Sequence, residues 1–190
     1  MKEVFLTVGP RGAGKSMFCE KALELDPELV LISRDKILIE LFGTTGLSPY
    51  TNDHVIGWKK MEKVVQSILK RIKVQIILDC WNGFPEERRN LTEFLRTCGA
   101  EKITAWYFVT SEEICTKQRL TRDKEEGPNG LANRDWYDAV YCGAYKRDHA
   151  LFHSMPVDVD QGFDEIIRID PFTMHPKDIL RLQIDLDLIQ

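Results

Sequence analysis

Residues 4–16 read VFLTVGPRGAGKS, and this segment is the most informative part of the sequence. It begins with an apolar run of strand length, and Phe18, Ala22 and Leu25 follow it at helical spacing. Between the two lies the pattern G-x-x-x-x-G-K-S, which starts at Gly9. A glycine-rich turn between a strand and a helix is the context of a P-loop, whose backbone amides and lysine hold phosphate groups.

The P-loop pattern predicts ATP and Mg²⁺ as cofactors. Lys15 would reach the β- and γ-phosphates, and the hydroxyl of Ser16 would bind Mg²⁺. The alternative is a glycine turn that merely joins a strand to a helix. The residues expected around the nucleotide are Gly9, Pro10, Arg11, Gly12, Ala13, Gly14, Lys15, Ser16 and Met17.

Strands and helices alternate along the rest of the chain. Further apolar runs of strand length occupy residues 29–32, 75–78, 103–109 and 166–169, and a long amphipathic helix is predicted over Lys59–Lys73. This alternation specifies an α/β fold with a parallel sheet. We predict a three-layer P-loop NTPase of the nucleoside-monophosphate-kinase type, with the P-loop strand central and a strand order near 2-3-1-4-5.

Two acidic residues follow predicted strands. Asp35 comes just after the second strand, where an α/β sheet presents residues to the ligand crevice, so it can act as a general base toward a hydroxyl acceptor. The alternative is that Ser33 or Asp35 only caps the next helix. Asp79 ends the third strand in the position of a Walker B acid that holds Mg²⁺, and a capping or loop role is the alternative.

Composition excludes several classes of protein. The chain has 190 residues, 43% of them hydrophobic and 29% charged, which is typical of a folded domain rather than a disordered one. A net charge of −4 argues against a protein that coats nucleic acid non-specifically. No apolar run approaches the roughly 18 residues of a membrane span, so we expect a cytoplasmic protein without a membrane partner. The five cysteines and four histidines show no zinc-site spacing, and no chemistry is assigned to the histidines.

Four segments, residues 4–16, 32–37, 79–89 and 162–166, resemble successive segments of the P-loop polynucleotide 5′-hydroxyl kinases of the phage type. The resemblance covers about residues 2–170. It implies transfer of the γ-phosphate of ATP to the 5′-hydroxyl of a polynucleotide or nucleotide, with Asp35 as the base. It also implies a lid, placed at residues 122–134, from which Arg122, or failing it Arg119, would close over the phosphates.

The same resemblance places acceptor-binding residues in the second and third segments. They are Arg34, Lys36, Trp81 and Asn82. The chain departs from the family at two positions, because Leu38 stands where the family commonly has an arginine and Trp81 where it has threonine. Trp81 could stack on a base or simply pack, and the lysines of the predicted 59–73 helix could line a phosphate groove or only a solvated face.

These departures keep two other functions open. One is a P-loop kinase for a small metabolite, sugar or antibiotic, and the other is a nucleotide-dependent binding switch. The switch is favoured by the last part of the chain, where Ile179, Leu182, Leu186 and Ile189 alternate with charges at helical spacing.

We divide the chain into a kinase domain, residues 1–170, and a helical tail, residues 171–190. The tail either packs back on the domain or pairs with a second subunit in a homo-oligomer. Between the fourth and fifth strands we expect a loop over Arg122–Asn133 and then a helix through Trp136, Val140 and Tyr141.

Overall fold

Five parallel strands form one sheet in the computed structural model, which describes residues 1–45, 52–126 and 144–180. They are β1 (Lys2–Val8), β2 (Val30–Ser33), β3 (Val74–Asp79), β4 (Lys102–Phe108) and β5 (Glu165–Ile169). Their spatial order is β2-β3-β1-β4-β5. The predicted α/β class, the strand order and the central position of the P-loop strand are confirmed.

Helices connect the strands and cover both faces of the sheet. They are α1 (Lys15–Leu25), α2 (Arg34–Phe42), α3 (Asp53–Ile68), α4 (Pro85–Thr97), α5 (Glu112–Glu126) and α6 (Ala144–Ser154). Among these described residues no helix is long and apolar enough to cross a membrane.

Alternate residues of β1 enter two different cores. Val4 and Leu6 pack with residues of α3, α4 and α6, whereas Phe5 packs with residues of α1 and α5. Every residue of β1 from position 3 onward is buried, because both faces of a parallel sheet are covered by helices. The result is the predicted three-layer arrangement.

Serine side chains and a glycine set the ends of two helices. Ser33 caps α2, since its Oγ accepts from the backbone amide of Lys36 at 3.4 Å, and Gly43 ends that helix in the left-handed conformation. Ser111 caps α5, since its Oγ accepts from the backbone amide of Ile114 at 3.4 Å. The hydroxyl of the preceding residue, Thr110, donates to the P-loop instead.

The prediction for the long helix is wrong at its carboxyl end. α3 ends at Ile68, and Ile72 is 95% exposed in the turn that leads into β3. The apolar spacing continues through Ile72, but the chain must reverse there to begin β3 at Val74. The lysines on α3 are therefore Lys59, Lys60 and Lys63, while Lys70 and Lys73 lie beyond it.

The loop prediction is wrong for its first residues, 122–126. Residues 122–126 are the last turn of α5, because lysine, arginine and glutamate form helices readily when exposed. The remainder of that loop, most of the predicted lid and the predicted helix at 136–141 lie outside the described residues.

Part of the tail packs on the domain. Residues 176–180 are helical, and Ile179 is 1% exposed in the core that contains Phe18 and Trp106. Of the apolar tail positions, Ile179 is therefore covered by the protein itself. Leu182, Leu186 and Ile189 lie outside the described residues.

A buried arginine ties α4 to the segment that follows α6. The guanidinium of Arg88 is fully buried and donates to the side chain of Gln161 and to four backbone carbonyls at 2.6–3.1 Å, namely those of Asn82, Gly83, Met155 and Pro156. The guanidinium has five N–H donors, so this arrangement uses its capacity fully. It fixes the segment after β3 relative to the turn before β5.

We expect Arg88→Ala to lower the free energy of unfolding by about 3–5 kcal/mol, because it leaves several buried carbonyls without donors. Arg89→Ala is the matched control. It removes an exposed ion pair to Asp160 and should cost less than about 1 kcal/mol. Urea unfolding of both variants tests this, and equal losses would contradict it.

Candidate functional site: the nucleotide cleft

The turn between β1 and α1 forms a closed loop at the carboxyl edge of the sheet. Gly9, Gly12 and Gly14 have φ of 146°, 76° and 82°, which favour glycine. At Gly9 a Cβ would also lie 2.9 Å from the carbonyl oxygen of Phe108 in β4. The loop therefore depends on glycine both for its dihedral angles and for its close approach to the neighbouring strand.

Backbone amides at the start of α1 face outward from the helix. The first helical hydrogen bond joins the amide of Phe18 to the carbonyl of Gly14 at 3.0 Å. The amides of residues 15–17 therefore have no acceptor within the helix. Together with the helix dipole they suit the oxygens of a phosphate. This geometry fits the predicted nucleotide.

Lys15 is held across its own loop. Its Nζ donates to the carbonyl oxygens of Gly9 and Pro10 at 2.9 and 2.8 Å. Burial lowers the pKa of Lys15, and the carboxylates of Asp79, Asp148 and Asp35 act in the opposite direction. The amine is thus held at the loop by two carbonyl oxygens and lies among acidic residues.

A residue just after β4 also holds the P-loop. The hydroxyl of Thr110 donates to the carbonyl of Ala13 at 2.9 Å, and both residues are buried. The Thr110 hydroxyl is engaged by the P-loop, and the next residue, Ser111, caps α5.

Asp79 lies at the end of β3, beside Ser33 at the end of β2 in the register of the sheet. The hydroxyl of Thr7 on β1 donates to Asp79 Oδ1 at 2.7 Å. Asp79 and Ser16 line the same cleft, and their oxygens are the kind of ligand that Mg²⁺ prefers. Within the described ranges no three His, Cys, Asp or Glu side chains converge on a metal site. A metal here would therefore depend on Ser16, Asp79, water and phosphate oxygens.

Asp35 lies in the first turn of α2 and is exposed to the cleft. Ser33 caps the helix, so the capping role that sequence left open for Asp35 falls to Ser33. Next to it, Arg34 extends toward α3, where its Nη2 lies 2.9 Å from His54 Nδ1 and its Cζ lies 5.6 Å from the ring centre of Trp58. No sequence pattern indicates a role for His54 or Trp58, because both contacts depend on how α3 packs against α2.

Trp81 lines the cleft, as the sequence suggested. The Cζ of Arg11 lies 5.4 Å from the centre of its ring, and the ring meets Phe152 of α6 edge-on at 6.2 Å between centroids. Trp81 therefore packs on one side and borders the cleft on the other.

Asn82 and Lys36 do not line the cleft. The amide of Asn82 is buried and donates to the backbone carbonyls of Thr7 and Cys80 at 2.8 and 3.1 Å. The side-chain donors of Asn82 thus hold the segment after β3 against β1, and its role in acceptor binding stays a prediction. Lys36 is exposed on α2 outside the lining.

The two candidate lid arginines lie on α5. Gln118 and Thr121 of this helix line the cleft, which places Arg119 and Arg122 next to lining positions. Their side chains lie outside the described part of the structure, so their role over the phosphates remains a prediction.

These residues enclose one cleft of about 640 Å³, which we call the nucleotide cleft. Besides the P-loop residues, its lining includes Arg34, Asp35, His54, Trp58, Asp79, Trp81, Gln118, Thr121 and Phe172. The cleft thus brings together the P-loop and the two strand-end acids. Arg34, Trp58 and Trp81 line it as well.

Comparison with known proteins agrees with this geometry. The AAA domain family model matches residues 4–138. The chain belongs to this family. Its fold is that of the P-loop kinases.

One curated relative is the shikimate kinase of Leptospira borgpetersenii serovar Hardjo-bovis (strain JB197), which is 29% identical over 85 residues, or 44% of this chain and 47% of the relative. The chain thus matches about half the length of that relative.

Two solved structures share the fold. A chain of the Pnkp1/Rnl/Hen1 RNA repair complex superposes with a TM-score of 0.66 at 20% identity, over 80% of this chain and 44% of the other. A protein from Chloroflexus aurantiacus superposes with a TM-score of 0.69 at 13% identity, over 98% and 96% of the two chains.

Proposed function

We propose that the protein is an ATP-dependent kinase that transfers the γ-phosphoryl group to a hydroxyl acceptor. The observation that carries this proposal is that the P-loop, Asp35 and Asp79 line one cleft. The three features perform different tasks in phosphoryl transfer, and sequence had placed them on three different strand ends.

Each residue has a distinct role in this proposal. The amides of the P-loop bind phosphate oxygens, and Lys15 exchanges its two carbonyl acceptors for them. Ser16 and Asp79 would hold Mg²⁺, which neutralises phosphate charge when bound. Asp35 accepts the proton of the acceptor hydroxyl. Arg119 or Arg122 would add positive charge over the transferred group.

The acceptor proposed is the 5′-hydroxyl of a polynucleotide or nucleotide. The family resemblance of the second and third strand-end segments supports it, and one structure with this fold belongs to an RNA repair complex. Leu38, at the position of the family's arginine, is buried against Gly57 of α3 and cannot serve an acceptor phosphate. Arg34, on the same helix and in the cleft, offers that charge instead.

A small-molecule kinase is the second candidate. The local identity with a shikimate kinase favours it, and a cleft of about 640 Å³ is of the size that holds such ligands. The binding switch has less support, because Ile179 of the apolar tail pattern is buried in the protein's own core.

Two substitutions separate the roles of the cleft residues. Lys15→Ala should lower kcat at least about 100-fold, because it removes the positive charge that faces the phosphates. Asp35→Asn should lower kcat by about 100-fold or more with little change in ATP affinity, because the base acts on the acceptor. Phosphoryl transfer from labelled ATP and calorimetric ATP titration measure the two quantities.

Exposed residues on the same helices serve as controls. Lys21→Ala on α1 and Glu40→Gln on α2 should leave both kcat and ATP affinity unchanged. If Asp35→Asn instead lost ATP affinity as strongly as kcat, Asp35 would have a metal-binding or structural role and not that of a base.

A screen with labelled ATP identifies the acceptor. We expect label on 5′-hydroxyl DNA or RNA oligonucleotides when these are offered beside nucleosides, sugars, shikimate and aminoglycosides. The KM for an oligonucleotide should rise steeply with salt, and Lys59→Ala or Lys63→Ala should reduce the slope by about one unit.

Lys73→Ala provides the control for the salt experiment. Lys73 precedes β3 at the amino ends of the strands, opposite the nucleotide cleft, so its substitution should leave the slope unchanged. Label that appeared only on a small metabolite would replace the polynucleotide with that acceptor and leave the kinase assignment intact. ATP consumption that needed no acceptor would contradict the kinase itself.

A further inference from the structure

An ion pair joins the P-loop to α6, near the other end of the chain. Asp148 Oδ2 accepts from the backbone amide of Arg11 at 3.2 Å, across 137 residues of sequence. Arg11 Nε lies 3.4 Å from the same oxygen. The Asp148 side chain is 8% exposed. One carboxylate therefore holds both the backbone and the side chain of a P-loop residue.

The burial of this carboxylate is unfavourable by itself. Burial raises the pKa of Asp148, and the charge and amide of Arg11 oppose that shift. A buried carboxylate is tolerated when it is paired and hydrogen-bonded, as it is here. The pair thus ties α6 to a particular conformation of the loop.

A second contact reinforces the first. Phe152, one turn after Asp148 on α6, meets the ring of Trp81, and the guanidinium of Arg11 lies over that ring. Arg11 is therefore held between Asp148 and Trp81. Thr110 holds the loop at Ala13, so α6 and the segment after β4 fix two successive parts of it.

We propose that Asp148 is a positioning residue for the nucleotide cleft, which holds Arg11 and the first half of the P-loop in the conformation that receives phosphate. The inference rests on the nucleotide binding of the proposed function. A loop that is already ordered loses less conformational entropy when a ligand binds. Without Asp148, the loop would have to be ordered during binding.

The negative charge of Asp148 should weaken phosphate binding, whereas its contacts with Arg11 should favour it. Its carboxylate interacts with Lys15 and so reduces the positive potential that attracts phosphate. Asparagine at this position keeps an oxygen acceptor for Arg11 and removes the charge, whereas alanine removes both. The two substitutions therefore separate positioning from electrostatics.

Asp164 supplies a matched control. Its Oδ2 also accepts from an arginine, Arg96, and from a backbone amide, that of Ile103 at 2.6 Å. This group lies where β4 and β5 begin, at the edge of the sheet opposite the nucleotide cleft. Asp164→Asn therefore perturbs a similar arrangement without touching the P-loop.

Calorimetric titration of the full chain with MgATP tests the inference. We expect Asp148→Ala to raise the Kd for ATP about tenfold or more, since a hydrogen bond to a charged group is lost from the loop. Asp148→Asn should stay within about threefold of the unsubstituted chain, and Asp164→Asn should be unchanged. Urea unfolding without ATP shows that each variant is folded, and Asp148→Ser replaces the alanine variant if that variant does not fold.

The outcomes are distinct. Equal ATP affinity in all variants would overturn the positioning role alone. Equal weakening by alanine and asparagine would show that Asp148 acts through its ion pair with Arg11 and not through the position of its oxygen acceptor, which would overturn the geometric role. If the unsubstituted chain did not bind ATP, the proposed function would fail together with this inference. ATP binding without transfer to any hydroxyl would overturn the kinase and leave the positioning role standing.

Discussion

Phosphate is bound by backbone amides, and this requires a loop that is concave, rigid and almost free of side chains at its inner surface. Gly9 and Gly14 provide the necessary dihedral angles, and β1 provides a fixed point from which the loop departs. Because β1 is the central strand, its loop opens between the ends of β3 and β4. The strand order therefore determines which residues can approach the phosphates.

Charge balance is the second constraint on the cleft. The amine of Lys15 is held at the loop by the backbone carbonyls of Gly9 and Pro10, and three carboxylates surround it. Asp79 is held by Thr7 and Asp148 by Arg11, whereas Asp35 is exposed to the cleft with its Oδ1 3.9 Å from Arg34 Nη1. Asp79 and Asp35 line the cleft, and Asp148 contacts the P-loop through Arg11.

Sequence predicted the parts of this site that depend on short-range pattern. The P-loop is a contiguous motif, and Asp35 and Asp79 directly follow apolar runs, so the ends of parallel strands brought them together as expected. The contacts of Thr7 with Asp79, His54 with Arg34 and Asp148 with Arg11 could not be predicted, because each depends on how distant elements pack. Asn82 lies in a matching segment but is used to hold the sheet.

The same limit applies to the boundaries of the helices. The apolar spacing of α3 continues to Ile72 although the helix ends at Ile68, since the geometry of the sheet decides where the chain must turn. The charged run after Arg122 suggested a loop, but its first residues extend α5. Local propensity was therefore reliable for the type of each element and less so for its end.

In the proposed function, the P-loop exchanges its own contacts for those of a nucleotide. A crystal structure of the chain with Mg²⁺ and a non-hydrolysable ATP analogue tests it most directly. We predict phosphate oxygens within about 3 Å of the amides of residues 12–16, and Lys15 Nζ moved from the carbonyls of Gly9 and Pro10 to those oxygens. Phosphates bound elsewhere, or Lys15 still bound to both carbonyls, would contradict the account.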